Sequence, residues 1–223
     1  MKKNLIFIFF LVSAASVYGQ TFLTAENYFA EVSEQYAGFK DYEADITITI
    51  GKNEVMIGRA SYKSPTLLRL DFSQPAEQVF IYNGEMLTIY LPRRDTVLSQ
   101  VVDTTNTSSS PSLATAQGLS LLRRSYQISY ETGPEAVNYG NTEEKVIRLV
   151  LTRRGASEGF RKLILSISED TKLIRSIEGT TIGNENMKFE FSNYSINKGI
   201  PDTRFLYDSP PSANTFNNFL FNE

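Results

Sequence analysis

The stretch from Gly58 to Leu91 limits the fold of this chain more than any other, because turn signals divide it into short apolar runs. Pro65 and Pro75 end the first two runs, since proline lacks the amide proton that a sheet ladder needs. Asn83-Gly84 separates the next two runs, and this dipeptide is typical of a type I′ turn between antiparallel strands. The stretch therefore predicts a meander of antiparallel strands.

Runs of alternating apolar and polar residues continue on both sides of this meander. Tyr42 to Ile50 alternates strictly, which predicts a strand with one buried face and one wet face. With the runs between residues 126 and 196, about ten or eleven strands are expected, and a sheet of that size curls or closes. We predict a mainly β fold: a strongly curved antiparallel sheet, forming an incomplete, half-open β-barrel, with helices covering its concave apolar face.

Two segments have the periodicity of amphipathic helices. The first runs from Ala25 to Ala37, with Thr24 as its N-cap. The second, predicted from Ser112 to Arg124, follows a loop rich in Ser and Thr. Its apolar residues in phase are Leu113, Ala116, Leu119 and Leu122.

The apolar residues of the strands and of the first helix are candidates for one common concave surface. The simplest interpretation is an ordinary core filled by side chains, as in most small barrels. The alternative is a cavity that binds an apolar ligand, and alternation alone leaves both interpretations open. The candidate residues are Phe29, Val32, Tyr36, Ile46, Ile48, Ile50, Leu68, Leu70, Phe72, Phe80, Leu87, Ile89, Leu163 and Leu165.

The first 19 residues have the layout of a secretory signal peptide. Lys2 and Lys3 precede an apolar run from residue 5 to residue 12, and small residues follow up to Gly19. The apolar run is too short to cross a hydrocarbon core of roughly 30 Å as a helix. We expect cleavage after Gly19, which leaves residues 20–223 as a single domain.

The composition excludes several classes of function. The chain has no His and no Cys, which removes Ser-His and Cys-His nucleophile pairs and the zinc sites built on these residues. The nearby acids Glu43 and Asp45 lie on the polar face of an alternating strand, where carboxylates are normally solvated. The formal net charge of −3 disfavours nucleic acid as a partner. We expect no catalytic or metal-binding residues, no cofactor and no enzymatic activity.

The central meander and the C-terminal region resemble a known family. Between residues 62 and 92, the order of aromatic, Lys, Pro, Asn-Gly and apolar positions is similar to the pattern of the periplasmic lipoprotein carrier family, LolA. Near the end of the chain, Phe205, Tyr207, Pro210 and Pro211 are similar to the family's Phe-x-Phe-x-Pro-Pro ending. The first block consists of Tyr62, Lys63, Pro65, Leu68, Leu70, Gln74, Pro75, Asn83, Gly84, Leu87, Ile89, Tyr90 and Pro92.

This resemblance implies a lipid-binding domain that shields the acyl chains of lipoproteins on their way from the inner to the outer membrane. The implied partners are acylated lipoproteins, an inner-membrane ATP-driven release complex and an outer-membrane acceptor. The resemblance also implies that the second helix is part of a lid, and that the protein is a soluble, monomeric resident of the periplasm. Two alternatives stay open: a lipid-binding sensor or regulatory module, and a carrier of glycolipid.

One position departs from the family pattern. Family members carry an arginine immediately before the proline that corresponds to Pro65, and this arginine hydrogen-bonds to the lid backbone. Ser64 occupies the position here. Arg59 and Arg69 are the candidate substitutes, although Arg69 alternates with the apolar residues beside it and is expected to point to solvent.

Overall fold

The computed structural model describes residues 23–102, 114–156 and 158–219. In these residues the strands form one 13-stranded sheet, so the predicted mainly β architecture is confirmed. The predicted signal peptide and the lid-helix residue Leu113 lie outside the described residues, as do the apolar residues Leu220 and Phe221 of the tail.

The elements follow the chain in an order close to the predicted one. The helices are α1 (Ala25–Ala37) and α2 (Ala116–Ser125). The strands before α2 are β1 (Asp41–Ile50), β2 (Glu54–Lys63), β3 (Leu67–Gln74), β4 (Val79–Tyr82), β5 (Met86–Leu91) and β6 (Thr96–Val101). The strands after α2 are β7 (Tyr126–Tyr130), β8 (Val137–Asn138), β9 (Lys145–Arg153), β10 (Phe160–Ser168), β11 (Ile174–Thr181), β12 (Asn186–Ile196) and β13 (Asn214–Asn217).

The strand order explains why the barrel is half open. Across the sheet the order is β13-β6-β5-β4-β3-β2-β1-β12-β11-β10-β9-β7, and β8 also pairs with β9. All pairs are antiparallel except β13 with β6, which are parallel. Because β13 and β7 stand at opposite ends of this order, the sheet remains open. The two strands beyond the expected eleven are β8 and β13, which are too short to produce a clear alternation.

The turn signals of the meander end the strands where the sequence predicts, with one correction. β2 ends at Lys63 and β3 at Gln74, immediately before the two predicted turns. The connection after Tyr82 is not a type I′ turn, because Gly84 has a positive φ of 99° whereas Asn83 is not among the residues with positive φ. The Asn83 side chain instead accepts hydrogen bonds from the amides of Glu85 and Met86, which closes the turn locally.

The first helix matches its prediction, whereas the second begins later. Thr24 caps α1 by accepting a hydrogen bond from the amide of Asn27 at 3.2 Å. The predicted start of α2 at Ser112 is wrong, because Thr115 is the N-cap and its hydroxyl accepts from the amide of Gly118 at 3.1 Å. A cap at Thr115 satisfies an amide that would otherwise lack a partner, and it sets the first helical residue at Ala116.

The helices pack on the inner side of the sheet, mainly over one half of it. We call β1, β7 and β9–β12 the helix-covered half; their core residues form one buried cluster with α1 and α2, and this cluster extends onto β2, β3 and β4. In β7, at the edge of this half, the Tyr130 hydroxyl donates to the carbonyl of Leu23 just before α1. Near the end of α1, the Tyr36 hydroxyl accepts from the amide of Ile174 in β11. The inner face of this half therefore packs against helices.

A long C-terminal segment packs on the other half, from the opposite side. We call residues 197–213 the strap, and β2–β6 with β13 the strap-covered half. Lys63 donates to the carbonyl of Ile200 at 2.7 Å, and Tyr207 packs on Tyr90 with ring centroids 6.0 Å apart. Phe205 is 2% exposed, so the strap buries apolar surface as well as making polar contacts. The strap then leads into β13 at the free edge of β6.

Candidate functional site

Cross-strand register places the predicted strand residues on a single face, which we call the inner face. Leu70 pairs with Ala60 of β2 and with Phe80 of β4, and Phe80 pairs with Ile89 of β5. On the other side of β1, Ile48 pairs with Phe189 of β12. Phe189 pairs with Ile177 of β11, and Ile177 pairs with Leu165 of β10. The predicted residues on this face are Ile46, Ile48, Ile50, Leu68, Leu70, Phe72, Phe80, Leu87, Ile89, Leu163 and Leu165.

In the helix-covered half this inner face is filled by side chains. Phe29 and Val32 of α1 are 0% exposed, as are Leu163 and Leu165 of β10. Leu119 and Leu122 of α2 are also buried, and Ala116 is partly exposed. The predicted residues that lie in this packed core or at its border are Phe29, Val32, Tyr36, Ile46, Ile48, Leu68, Phe72, Leu163 and Leu165.

In the strap-covered half part of the inner face is open. The predicted residues Leu70, Phe80, Leu87 and Ile89 are only partly buried there, and Ile50 is partly buried at the end of β1. Leu70, Phe80 and Leu87 pack against the border of the core, whereas Ile89 lies beyond it. Any lipid contact of these residues remains a prediction, but they are the candidates that have solvent-accessible apolar surface.

Register also identifies residues outside the predicted set of site residues. Ile89 pairs with Leu98 of β6, and Leu98 pairs with Phe216 of β13. Leu98 is partly exposed and Phe216 is 54% exposed. The sequence contained signals for both, since Leu98 lies in an apolar run and the tail is rich in Phe, but neither signal shows which strands are neighbours. We call Leu70, Phe80, Ile89, Leu98 and Phe216 the open row.

The open row begins beside two small residues in the middle of the sheet. Ala60 pairs with Leu70 on one side and with Ala44 of β1 on the other. Ala44 is 0% and Ala60 is 2% exposed, so the row is closed at this end. The next four residues of the row are partly buried, and Phe216 at the free edge is exposed. None of the five side chains in the row carries a charge or a polar atom.

Tyrosines join the inner face to the helices. The Tyr42 hydroxyl donates to the carbonyl of Ala114, just before α2, at 2.7 Å. The Tyr36 and Tyr194 hydroxyls lie 3.3 Å apart, and Tyr194 donates to the carbonyl of Ile174. Burial raises the pKa of Tyr36 to about 12 and raises that of Tyr42 well above its ordinary value. Both hydroxyls therefore stay neutral and protonated at physiological pH.

Neither of the two arginines considered as substitutes for the family arginine lies on the inner face. Arg59 forms ion pairs with Glu43 and Asp45 on the outer face, at 3.2 and 2.8 Å. Arg69 donates to the carbonyls of Arg204 and Leu206 in the strap. The expectation that Arg69 points to solvent is wrong, because the strap covers it and leaves its side chain only 17% exposed.

The strap is fixed to the outer face by a cluster of charged groups. Arg69 and Arg204 both hydrogen-bond to the carboxylate of Asp71. Burial alone would raise the pKa of Asp71, but these hydrogen bonds and the two positive charges outweigh it and hold the pKa below its ordinary value. Asp71 is therefore ionised at neutral pH and links β3 to the strap.

Other features of the described residues do not match an apolar ligand or a metal. A depression of about 410 Å³ opens on the outer face of the helix-covered half, where Lys162, Glu178 and Lys188 give it mixed charge. Within residues 23–102, 114–156 and 158–219, no group of three acidic, His or Cys side chains is arranged to hold a metal ion. In the same ranges no helix is long and apolar enough to cross a membrane.

Sequence comparison connects this chain with proteins of known class. A sequence model of the family described as outer membrane lipoprotein carrier protein LolA matches residues 48–208, from β1 to the strap. The outer-membrane lipoprotein carrier protein of Pseudomonas aeruginosa strain PAO1 is 27% identical over 157 residues, which cover 70% of this chain and 69% of that protein. The carrier protein of Pseudomonas paraeruginosa has the same identity and coverage.

Comparison with solved structures shows the same fold. The crystal structure of an uncharacterized conserved protein from Thermus thermophilus has a TM-score of 0.55 at 11% identity, covering 85% of this chain and 96% of that chain. A chain from the complex structure of Pseudomonas aeruginosa MucA/MucB has a TM-score of 0.51 at 11% identity, covering 85% of this chain and 62% of that chain. At such low identity the similarity concerns the fold alone.

Proposed function

The chain belongs to the LolA family of outer membrane lipoprotein carrier proteins, and from this premise we propose that it carries acylated lipoproteins through the periplasm, from the inner to the outer membrane. The acyl chain binds on the open part of the inner face, in the strap-covered half. The observation that carries this proposal is the row of uncharged, partly exposed side chains from Leu70 to Phe216. The helix-covered half acts as the packed wall beside it.

The energetics of acyl chains explain why such a surface is needed. Each methylene removed from water is worth about 0.8 kcal/mol, so a free acylated protein would leave a membrane very slowly. An apolar surface that accepts the chain lowers this cost during transfer. A carrier must also release its cargo, and side chains that are only partly buried leave the bound chain in incomplete contact, which keeps the affinity moderate.

The contact between Tyr42 and Ala114 supports a movable cover beside this surface. It joins the start of α2 to the sheet through one neutral hydrogen bond, whose net contribution is about 0.5–1.5 kcal/mol. Exchanging this bond for a ligand contact costs little by itself, whereas the burial of Leu119 and Leu122 holds the rest of α2 in the core. In the proposed cycle α2 serves as the lid. Ser64 stands at the position of the family arginine, and Tyr42 makes the hydrogen bond to the lid backbone instead.

The proposed cycle requires two membrane partners. An inner-membrane ATP-driven release complex loads the cargo, and an outer-membrane acceptor receives it. The carrier itself is a periplasmic monomer that uses no nucleotide. The leader at residues 1–19 is the proposed export signal.

Copurification tests this proposal directly. The mature protein is purified from periplasm without detergent, and bound material is identified by native mass spectrometry and lipid extraction. Phe80→Glu should abolish binding, because a carboxylate in the row would lose water when an acyl chain covers it. Ile57→Glu is the matched control, since Ile57 is 42% exposed and lies on the outer face. Circular dichroism of each variant checks that it is folded.

The bound species separates the candidate functions. Acylated protein bound to the wild type and to Ile57→Glu, but not to Phe80→Glu, supports the carrier. A free glycolipid would favour the glycolipid carrier. A free lipid, together with normal lipoprotein sorting and an altered envelope stress response in a deletion strain, would favour the sensor. If nothing binds and a fluorescent acyl probe is not taken up, the inner face is only core.

A further inference from the structure

The open row has a direction, because only one of its ends reaches solvent. At the inner end the row meets Ala60 and Ala44, which are 2% and 0% exposed. At the outer end it reaches Phe216, which is 54% exposed on the last strand of the sheet. The polar head of an amphiphile needs water, whereas its methyl end does not. A chain that lies along this row therefore has its head at β13.

The length of the row fits one acyl chain. From β3 to β13 there are four strand-to-strand steps, which at about 4.8 Å each give a row of roughly 19 Å. The acyl chains of one leaflet span about half of a hydrocarbon core of roughly 30 Å. The row thus accommodates a single extended chain and leaves a few ångströms at its outer end for the linkage to the head.

The residues around the outer end suit a polar head. Asn214, Thr215 and Asn217 are the other residues of β13, and all are exposed. By strand alternation Asn214 lies on the same face as Phe216. Near the inner end, Phe72 packs edge-on against Phe80 with ring centroids 5.1 Å apart. The row therefore changes from aromatic packing near the core to the exposed amide of Asn214 at the edge.

We propose that the open row is a track for one acyl chain, which enters sideways at the β13 edge with its methyl end first and stops near Ala60. This inference rests on the proposed function. It adds the place where the acyl chain enters and the direction in which it points, and it makes Phe216 the first residue that the chain passes. In this arrangement the protein part of a lipoprotein stays outside the free edge of the sheet.

Photo-crosslinking of the full mature protein tests the direction. Two palmitate analogues carry a diazirine, one near the methyl end and one near the carboxylate, and labelled peptides are mapped by mass spectrometry. The methyl-end probe should label β3 and β4 around Leu70 and Phe80, and the carboxylate-end probe should label Leu98 and Phe216. The reverse order, or identical labelling by both probes, would overturn the track while leaving a carrier function intact.

A pair of variants tests the entrance independently. Phe216→Ser should weaken palmitate binding by about 3- to 10-fold, because one large apolar contact of the bound chain is lost. Ile57→Ser removes another exposed apolar side chain, 42% exposed on the outer face, and should leave binding unchanged. Both residues are exposed, so neither variant is expected to unfold. Equal affinities of the two variants would contradict the entrance, and absence of saturable palmitate binding to the wild type would overturn both this inference and the proposed function.

Discussion

The two halves of this sheet are packed from opposite sides. In the helix-covered half, α1 and α2 fill the inner face, and Phe29, Leu163 and Leu165 are completely buried. In the strap-covered half, residues 197–213 pack on the outer face, and the inner-face residues Leu70, Phe80 and Ile89 keep solvent-accessible surface. A strand needs one packed face to be stable. Packing β2–β6 from outside therefore leaves part of their inner face, from Leu70 to Leu98, available to a ligand.

The largest expected effect comes from removing the same side chain in each half. Phe29→Ala should lower the free energy of unfolding by about 3–5 kcal/mol, because it leaves a cavity in a filled core. Phe80→Ala should cost only about 1–2 kcal/mol, since this ring is already partly exposed. Urea unfolding of both variants measures the difference. Equal losses would mean that the inner face is packed alike in both halves.

The attachment of the strap should respond to pH. Asp71→Asn should lower the free energy of unfolding by about 1–2 kcal/mol at neutral pH, because two arginines lose their anionic partner. Since folding lowers the pKa of Asp71, its contribution is present above the unfolded pKa of about 3.9 and is lost as the pH falls through the folded pKa. Unfolding of wild type and variant, followed from neutral to strongly acidic pH, should therefore converge.

Asp45→Asn is the control for that experiment. Asp45 also pairs with an arginine on the outer face, but its side chain is 45% exposed. Its hydrogen-bond partners in the described residues are Arg59 and Asn193, neither of which belongs to the strap. An exposed ion pair contributes little, so the change should stay within about 0.5 kcal/mol. If Asp45→Asn lost as much free energy of unfolding as Asp71→Asn, the contact of Asp71 with the strap would contribute nothing beyond an exposed ion pair.

Apart from the control variants, the smallest effect is expected at the connection between the sheet and α2. Tyr42→Phe keeps the ring, which packs on Tyr62 with centroids 5.3 Å apart, and removes the donor to the Ala114 carbonyl. We expect a loss of about 0.5–1.5 kcal/mol and faster hydrogen exchange at the first amides of α2. Tyr194→Phe removes a comparable bond to Ile174 and should leave exchange in α2 unchanged. Similar exchange in both variants would exclude Tyr42 as the contact that holds α2.

Local signals in the sequence were sufficient for most of the secondary structure. The bounds of α1 are those predicted from its apolar stripe and the Thr24 cap, and the Pro residues of the meander follow the ends of β2 and β3. Cap, turn and alternation signals act within a few residues, so they can be read without knowing the fold. The late start of α2 and the turn at Asn83 show the limit of these signals, because side-chain hydrogen bonds decided both.

What lies against each face of the sheet was decided only by the tertiary structure. Alternation assigned Leu70 and Leu165 to the same apolar face, but it contained no information on which of them a helix would cover. Alternation predicts that Arg69 points to solvent, but the strap covers it. Its hydrogen-bond acceptor is the carbonyl of Arg204, 135 residues further along the chain, which no local pattern can indicate. Burial depends on every element packed against a residue, whereas a sequence pattern records only its neighbours along the chain. The sequence therefore determined the two faces of the sheet, and the fold decided which part of the inner face remained open.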